Sequence, residues 1–434
     1  MFTNIKNAFK DTDLRKKMFL TLILIFLFRV GSWLPIPGIN VEAFSEEIAG
    51  QDFLGIISGL TGGALSNGAF LALGVAPYIS ASIIMQLLTI AIPYLEKLKK
   101  MGEEGRKKIT KYTKYTALFL ATAQAIGIIF TFGAQNFNPD LFGSIAPLWA
   151  TQLFVVLALV SGAMFTYWLG EKITEVGIGN GVSLLIFVGI ISSAAVALQA
   201  TLVSAVTENI EAIWELIGFA GILVLIFGLI VFISFSERKV PVQYAKQIKG
   251  RKMYGGQSTY IPMKVNGSGV LPIIFAMSLL SFPQLLMSIF WPTSDFFAWY
   301  SRNLGMGSWM FTVLSGILIL FFAYFYSQMV FNPSDVSKRL QQNGGFIPGI
   351  RPGRPTTGYL SKINKRITLF GALFLAFIAI VPTLIFQAAG VDTGLINAFS
   401  ATGMLIVVSV AIEFNRQLES QMLMKAQNNK GFLK

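Results

Sequence analysis

Ten long apolar stretches recur along this chain, separated by polar or glycine-rich connections. A bilayer core about 30 Å thick needs roughly 20 apolar residues in a helix. The pattern therefore predicts an all-α polytopic membrane protein with ten transmembrane helices. The predicted spans are 18–34, 71–92, 115–133, 151–169, 183–200, 217–236, 270–290, 309–331, 367–386 and 398–416.

Basic residues alternate between successive loops. The N-terminal tail has five, and the second, sixth and eighth loops have eight, seven and seven, whereas Arg302 is the only base in the odd-numbered loops. The positive-inside rule assigns the basic side to the cytoplasm. The pattern therefore predicts that both termini are cytoplasmic, which an even number of spans allows.

The composition fits a membrane protein, with 54% hydrophobic and 13% charged residues. We therefore interpret the formal net charge of +13 mainly as a result of the membrane topology. The chain has no Cys and no His, which excludes disulfides, thiolate catalysis and histidine-based proton transfer or metal binding. The N-terminus resembles a signal peptide, with a basic region before an apolar run. The sequence after that run is LPIPG, at residues 34–38, and not a small-residue cleavage site. We interpret the apolar run as a retained first helix.

Few ionisable residues lie inside the predicted spans. Arg29, near the outer end of the first helix, either snorkels to the outer headgroups or faces a pore or a partner. No phosphate-binding loop of the G-x-x-x-x-G-K-[ST] type occurs. This inventory favours a passive conduit driven by another protein, with no catalytic residues, no metal and no cofactor.

Two other classes of function stay open on the residues alone. A small-solute secondary transporter normally places carboxylates inside the membrane, and this chain lacks them. A membrane-embedded lipid-linked transferase needs polar catalytic groups near one face. The fourth and eighth loops offer only Glu171, Glu175 and Asp335 for that purpose.

A glycine-rich apolar segment, DFLGIISGLTGGALSNG at 52–68, is too short to span the membrane. Irregular backbone at membrane depth survives only inside protein or beside a water-filled cavity. The segment is therefore either an external surface loop or a re-entrant half-helix. Its apolar side chains are those of Phe53, Leu54, Ile56, Ile57, Leu60 and Leu65.

Several strings resemble the SecY family, the channel subunits of the bacterial Sec protein translocon. They are GVAPYISASIIMQLL at 74–88, WLGEKITEVGIGNGVSLLIF at 168–187, GVLPIIFAMSLLSFP at 269–283 and GIRPGRPT at 349–356, together with LPIPG at 34–38 and GEEGRKK at 102–108. The resemblance runs from residue 14 to about residue 431.

The resemblance implies two inverted, pseudo-symmetric five-helix halves that form a clamshell channel. The implied organisation is a cytoplasmic tail over 1–17, a first half over 18–200 with a re-entrant plug at about 53–66, an external hinge loop over 201–216, a second half over 217–416 with cytoplasmic loops at about 237–268 and 332–366, and a C-terminal tail over 417–434. A lateral gate between spans two and three and spans seven and eight would open the channel to lipid.

The resemblance also implies an aliphatic ring at the narrowest point of the pore. A ring of this kind excludes ions by dewetting and fits round a moving chain. Two pairs in it are four residues apart, so each pair shares a helix face. The matched positions are Ile79, Ile83, Ile186, Ile190, Ile274 and Ile406.

The sixth and eighth loops are implied to bind the SecA motor or the ribosome. Their bases could bind ribosomal RNA phosphates or acidic lipid, or could simply set the topology. Arg351 matches a functionally important arginine of the family, and the other candidates are Arg238, Lys239, Lys249, Arg251 and Arg354. Further implied partners are SecE, which clamps the halves, SecG, signal peptides, nascent chains and membrane lipids. The implied location is the bacterial cytoplasmic membrane.

Overall fold

A computed structural model gives the fold of this chain. It describes residues 9, 11–42, 44–45, 58–59, 61–132, 148–207, 212–244, 247–249, 252–254, 258–267, 269–291, 294–305, 308–388 and 393–431. The main helices, in chain order, are α1 Thr12–Gly31, α2 Ala76–Ala91, α3 Pro93–Lys100, α4 Glu103–Phe132, α5 Leu148–Val176, α6 Gly181–Thr207, α7 Ala212–Phe235, α8 Leu271–Phe290, α9 Asp295–Leu304, α10 Trp309–Val330, α11 Pro333–Gln342, α12 Arg354–Ala388, α13 Thr393–Ala398 and α14 Ala401–Gly431.

Each of the ten predicted spans coincides with a helix over most of its length: α1, α2, α4, α5, α6, α7, α8, α10, α12 and α14. Within the described residues, six helices are long and apolar enough to cross a membrane. A seventh qualifies if α2 and α3, which are bent by 100° relative to each other, form one broken span. The all-α polytopic class is confirmed, and ten spans are consistent with it.

Several helices extend beyond the predicted span ends, whereas α2, which begins at Ala76, is shorter than its predicted span at 71–92. Helix α1 begins at Thr12, inside the predicted tail, and α14 continues to Gly431, through most of the predicted C-terminal tail. Helices α6 and α7 enter the predicted hinge loop from both sides, to Thr207 and from Ala212. Hydropathy detects only the apolar part of a helix, whereas Lys, Glu and Gln continue it into water with good helix propensity.

The chain forms two compact units. The first comprises Met1–Glu215, Ser278–Phe311 and Gly390–Lys434, and the second comprises Leu216–Met277 and Thr312–Ala389. In the first unit, α4 packs against α2 and α5, and α5 packs in turn against α1 and α6. Helix α6 also packs against α13 and α14. The division into two inverted five-helix halves stays a prediction.

The apolar core of the first unit includes the end of the short glycine-rich segment. Leu65 is fully buried there together with Leu73 and with Ala121 and Ala125 of α4. The backbone after it packs directly on α5, because a Cβ built on Gly162 would lie 1.8 Å from the carbonyl oxygen of Phe70. Leu65 and the backbone around Phe70 are therefore part of the packed interior of this unit.

The second unit contains strands that the sequence analysis did not predict. They are β1 Glu237–Tyr244, β2 Gln247–Lys249, β3 Lys252–Tyr254, β4 Ser258–Lys264 and β5 Gly345–Phe346. The sheet order is β4-β1-β5, and β2 pairs with β3. All these pairs are antiparallel.

Strand β5 joins the two basic loops. Gln243 and Tyr244 of the sixth loop pair with Phe346 and Gly345 of the eighth. A shared apolar cluster lies beneath the sheet and contains Val240, Val242, Met263, Leu340, Ile347 and Leu360. The sixth and eighth loops therefore form one folded element that presents their bases together.

Candidate pore and cytoplasmic surface

One face of α6 carries two of the predicted ring residues and two small residues. Ile186, Gly189, Ile190 and Ser193 follow a spacing of three, four and seven residues, which places them on one helical face. Both isoleucines are buried within the first unit. This face meets two other parts of the unit, one on each side of Ile190.

On one side lies a turn of the glycine-rich segment, formed by Gly59 and Thr61–Gly63 and called the glycine turn below. A Cβ built on Gly62 would lie 3.2 Å from the Cα atom of Gly189. The Ser193 hydroxyl donates a hydrogen bond of 2.7 Å to the Gly59 carbonyl oxygen. The glycine turn is thus packed directly against α6.

On the other side lies α14. A Cβ built on Gly403 would lie 3.3 Å from the Cγ2 atom of Ile190. Ile406, one turn further along α14, is also buried. The structure therefore brings the α6 and α14 positions of the predicted ring into neighbouring, packed helices.

Arg29 of α1 binds the glycine turn. Its Nη1 atom donates a hydrogen bond of 2.8 Å to the Gly62 carbonyl oxygen. The guanidinium carbon lies 5.5 Å from the centroid of the Trp33 ring, within the range of a cation–π contact. Arg29 therefore contacts this chain's own glycine turn, a role that neither interpretation from the sequence had specified.

The remaining ring positions lie on α2 and α8. On α2, Ile83 is buried and Ile79 is half-buried within the first unit. Ile274 is half-buried at the fourth residue of α8 and belongs to the second unit. Convergence of all these positions on one constriction stays a prediction.

Most predicted plug residues lie outside the described part of the chain: Phe53, Leu54, Ile56, Ile57 and Leu60. Leu65 is described, and it is fixed in the core of the first unit. Its burial favours the re-entrant interpretation of the segment over an external loop. It also makes Leu65 an anchor of the segment, since a side chain packed in this way moves only at a large cost.

On the element of the second unit formed by the sixth and eighth loops, four of the six predicted docking bases are exposed: Arg238, Lys239, Arg351 and Arg354. Lys239 is partly engaged, because its Nζ atom lies 4.7 Å from the centroid of the Tyr260 ring and 3.8 Å from the Glu237 carboxylate. Lys249 lies in β2, and Arg251 lies outside the described residues.

The backbone around Arg351 is fixed while its side chain is presented to solvent. The Arg351 carbonyl oxygen accepts a hydrogen bond of 2.9 Å from the Thr356 hydroxyl, and the Gly353 carbonyl oxygen accepts one of 2.9 Å from the Ser337 hydroxyl. Gly353 has a φ of +97°, which only glycine adopts readily. Among the described residues no carboxylate pairs with Arg351.

The carboxylates considered for a transferase are already bound. Glu171 pairs with Lys114 at 2.9 Å, and Glu175 pairs with Lys172 at 2.7 Å. Asp335 accepts a hydrogen bond of 3.0 Å from the Asn332 side chain at the start of α11. In the described part of the chain, no three His, Cys, Asp or Glu residues are grouped as metal ligands.

The family model named SecY matches residues 69–415. The chain belongs to the SecY family. Protein translocase subunit SecY of Streptomyces coelicolor is 42% identical to it over 446 aligned positions, which cover 100% of both chains. The resemblance inferred from the sequence strings is thereby confirmed over the full length.

Solved structures agree with this assignment at the level of the fold. A SecY protein whose plug domain stabilises the closed state of the translocation channel matches with a TM-score of 0.64 and 18% identity, over 94% of this chain and 92% of that one. Sec61 in a canine ribosome–channel complex from the endoplasmic reticulum matches with a TM-score of 0.60 and 18% identity, over the same shares. The chain is a multi-pass, protein-conducting membrane channel, and its family is not one of known enzymes.

Two of the residues that contact the glycine turn, Gly189 and Ser193, were missed by the sequence analysis. Ser193 and Gly189 are small residues on the same α6 face as the predicted ring, and that spacing was a usable signal. Gly62 was noticed only as one glycine among many in the segment. Its φ of +75° and its contact with α6 come from the fold.

Proposed function

We propose that this chain is the central pore subunit of a bacterial Sec translocon. It conducts unfolded secretory proteins across the cytoplasmic membrane and releases transmembrane segments sideways into lipid. The observation that carries this proposal is the glycine turn, which lies inside the protein and packs on the α6 face that bears Ile186 and Ile190. A re-entrant segment beside an aliphatic constriction is the arrangement that a closed protein channel needs.

The mechanism follows from the properties of apolar side chains at a constriction. A ring of aliphatic side chains dewets and so blocks ions, while its flexible side chains can seal round an extended polypeptide. The plug, residues of about 53–66, closes the channel at rest. A signal peptide that binds the open state better than the closed state shifts the equilibrium toward opening.

In this proposal, partner proteins supply the driving force for translocation. The exposed bases at Arg238, Lys239, Arg351 and Arg354 offer charge-assisted hydrogen bonds to SecA carboxylates or to ribosomal RNA phosphates. Ribosome binding is supported by the similarity to Sec61 in a ribosome–channel complex. The family resemblance adds SecE and SecG as membrane partners, and the basic loops support a cytoplasmic location of both termini.

Reconstitution tests the proposed function directly. The chain, purified with its single-span membrane partners, is inserted into proteoliposomes and supplied with SecA, ATP and a secretory precursor. Protection of the precursor from added protease is the expected result, and copurification of two small single-span proteins is expected during isolation. A chain that is folded and correctly inserted but protects no precursor with either SecA or ribosomes would overturn the proposal.

The plug assignment makes a separate prediction. Deleting residues 54–60 removes four of the six apolar side chains of the segment and leaves Leu65 in the core. We expect translocation to stay within about threefold of the parent, while resting ion conductance in planar bilayers rises about tenfold, because the ring alone seals imperfectly. Deletion of seven residues from the predicted external loop at 135–141 is the control and should leave conductance unchanged. Unchanged conductance in the 54–60 deletion would contradict the plug assignment.

A further inference from the structure

Two donors from different helices converge on the backbone of the glycine turn. Arg29 of α1 donates to the Gly62 carbonyl oxygen at 2.8 Å, and Ser193 of α6 donates to the Gly59 carbonyl oxygen at 2.7 Å. Both acceptors are backbone carbonyl oxygens. The two hydrogen bonds therefore depend on where the backbone of the turn lies, and they do not involve the apolar side chains of the segment.

The turn is shaped to receive these donors. The Gly63 amide donates a hydrogen bond of 2.8 Å to the Ser58 carbonyl oxygen, and the Thr61 hydroxyl donates one of 3.1 Å to the same oxygen. Gly62 has a φ of +75°, and a Cβ on it would lie 2.7 Å from the Arg29 Nη1 atom. Only glycine allows both this backbone conformation and this approach of the guanidinium.

Both donors have a second interaction that does not involve the turn. The Ser193 hydroxyl also lies 3.2 Å from the Gly189 carbonyl oxygen of its own helix. The Arg29 guanidinium lies over the Trp33 ring. If the turn leaves, neither side chain loses all its partners, so the large penalty of an unsatisfied buried donor is reduced.

We propose that Arg29 and Ser193 form a clasp that holds the glycine turn in its closed position and sets how often the turn opens. The clasp combines a charge-assisted hydrogen bond, which is strong away from water, with a neutral one. The second interactions of both side chains lower the free-energy cost of releasing the turn. The consequence for channel gating rests on the proposed plug role, but the opening of the turn can be measured without that assumption.

A single cysteine can report the opening of the turn. The chain has no native Cys, and Thr61 is only 4% exposed, so Thr61→Cys is a nearly isosteric and buried reporter. A membrane-impermeant maleimide reacts with it only when the turn opens. The measured quantity is the labelling rate of the full-length chain with its membrane partners in proteoliposomes.

We expect Arg29→Leu and Ser193→Ala each to raise the labelling rate about tenfold, which corresponds to about 1.4 kcal/mol less stabilisation of the closed turn. Arg29→Lys should fall between the parent and Arg29→Leu, because it keeps the charge but loses the planar fork. Ser192→Ala, a neighbouring position on a different face of α6, is the matched control and should label at the parent rate.

A merely structural role predicts a different outcome. In that case the variants lower the thermal unfolding midpoint while labelling at 25 °C stays at the parent rate, which would overturn the clasp. If Arg29→Leu fails to fold, Ser193→Ala decides the question alone. Faster labelling with unchanged ion conductance would support the clasp and refute the plug role, whereas loss of precursor protection in the parent would refute the proposed function only.

Discussion

Replacing Arg351 with glutamate should slow protein translocation about 100-fold while leaving membrane insertion and binding of the single-span partners intact. Arg351 is exposed on a loop whose backbone is held by hydrogen bonds from Thr356 and Ser337. Breaking a hydrogen-bonded charge pair at an interface costs about 2–5 kcal/mol, and each 1.4 kcal/mol is about tenfold in affinity. The free-energy cost of the expected 100-fold loss lies inside that range if Arg351 binds an acidic or phosphate partner.

The matched control is Lys362→Glu. Lys362 is exposed on α12, in the same unit, and the substitution makes the same change in net charge. We expect it to reduce translocation by no more than about threefold, because isolated surface charges contribute little. Arg351→Lys should be intermediate, since a lysine cannot reproduce bidentate recognition of a carboxylate or phosphate.

The measurement is the initial rate of precursor protection in proteoliposomes, driven separately by SecA and by ribosomes. A loss with both motors indicates a shared docking point, and a loss with one identifies the partner that Arg351 binds. Normal rates with both motors would remove Arg351 from the docking surface. Equal losses in Arg351→Glu and Lys362→Glu would show that general charge, and no specific contact, controls the rate.

The helical part of this fold was predictable because an apolar stretch of about 20 residues spans a bilayer as a helix, which satisfies its own backbone hydrogen bonds. Every long apolar stretch became a helix. The ends were not predictable from hydropathy: α4 begins at Glu103 and carries a basic, water-exposed portion before it reaches the apolar stretch that begins near Tyr115. A helix ends where its capping and packing end, and neither feature is visible in an average of hydropathy.

The strands formed by the sixth and eighth loops were missed although a signal existed. Val240 and Val242 alternate with exposed neighbours in β1, which is the period of a half-buried strand. The stretch is short and contains Pro241, and it pairs with β5 a hundred residues later in the chain. Pairing between distant segments has no local signature, so the union of the sixth and eighth loops required the structure.

The candidate site was predictable only where a helix repeat or a family motif marked it. Ile186 and Ile190 were identified by motif as ring positions, and both are buried within the first unit. Ser193 and Arg29 act through backbone carbonyls of a distant turn. Every residue type has a backbone carbonyl oxygen, so the sequence does not show which residues accept hydrogen bonds from Ser193 and Arg29.

Replacing Ile406 with asparagine should produce the second large effect, an increase of about 10- to 100-fold in resting ion conductance. Ile406 is buried on α14, one turn from the contact between Gly403 and Ile190. A buried amide without partners costs about 1–3 kcal/mol, and water entering the constriction would satisfy it. A wetted constriction no longer excludes ions.

The same variant should accept precursors with defective signal peptides. Less binding energy is needed to open a channel whose closed state is weaker. Ile406→Leu keeps the apolar volume and should behave like the parent. Val196→Asn, at an exposed position of α6, introduces the same polar group away from the predicted ring and is the control for folding.

Crosslinking decides whether these positions line the pore. A cysteine in a stalled translocating chain should form disulfides with cysteines placed one at a time at Ile83, Ile190, Ile274 and Ile406, and the absence of native Cys keeps the background low. Cysteines at the exposed Phe119 and Val196 should not react. If the four positions are packed or lipid-facing, the substitutions should weaken folding, and none of the four cysteines should form a crosslink with the translocating chain. Ile274 is the most informative of the four, because it belongs to the second unit and its crosslink would establish that both units contribute to one constriction.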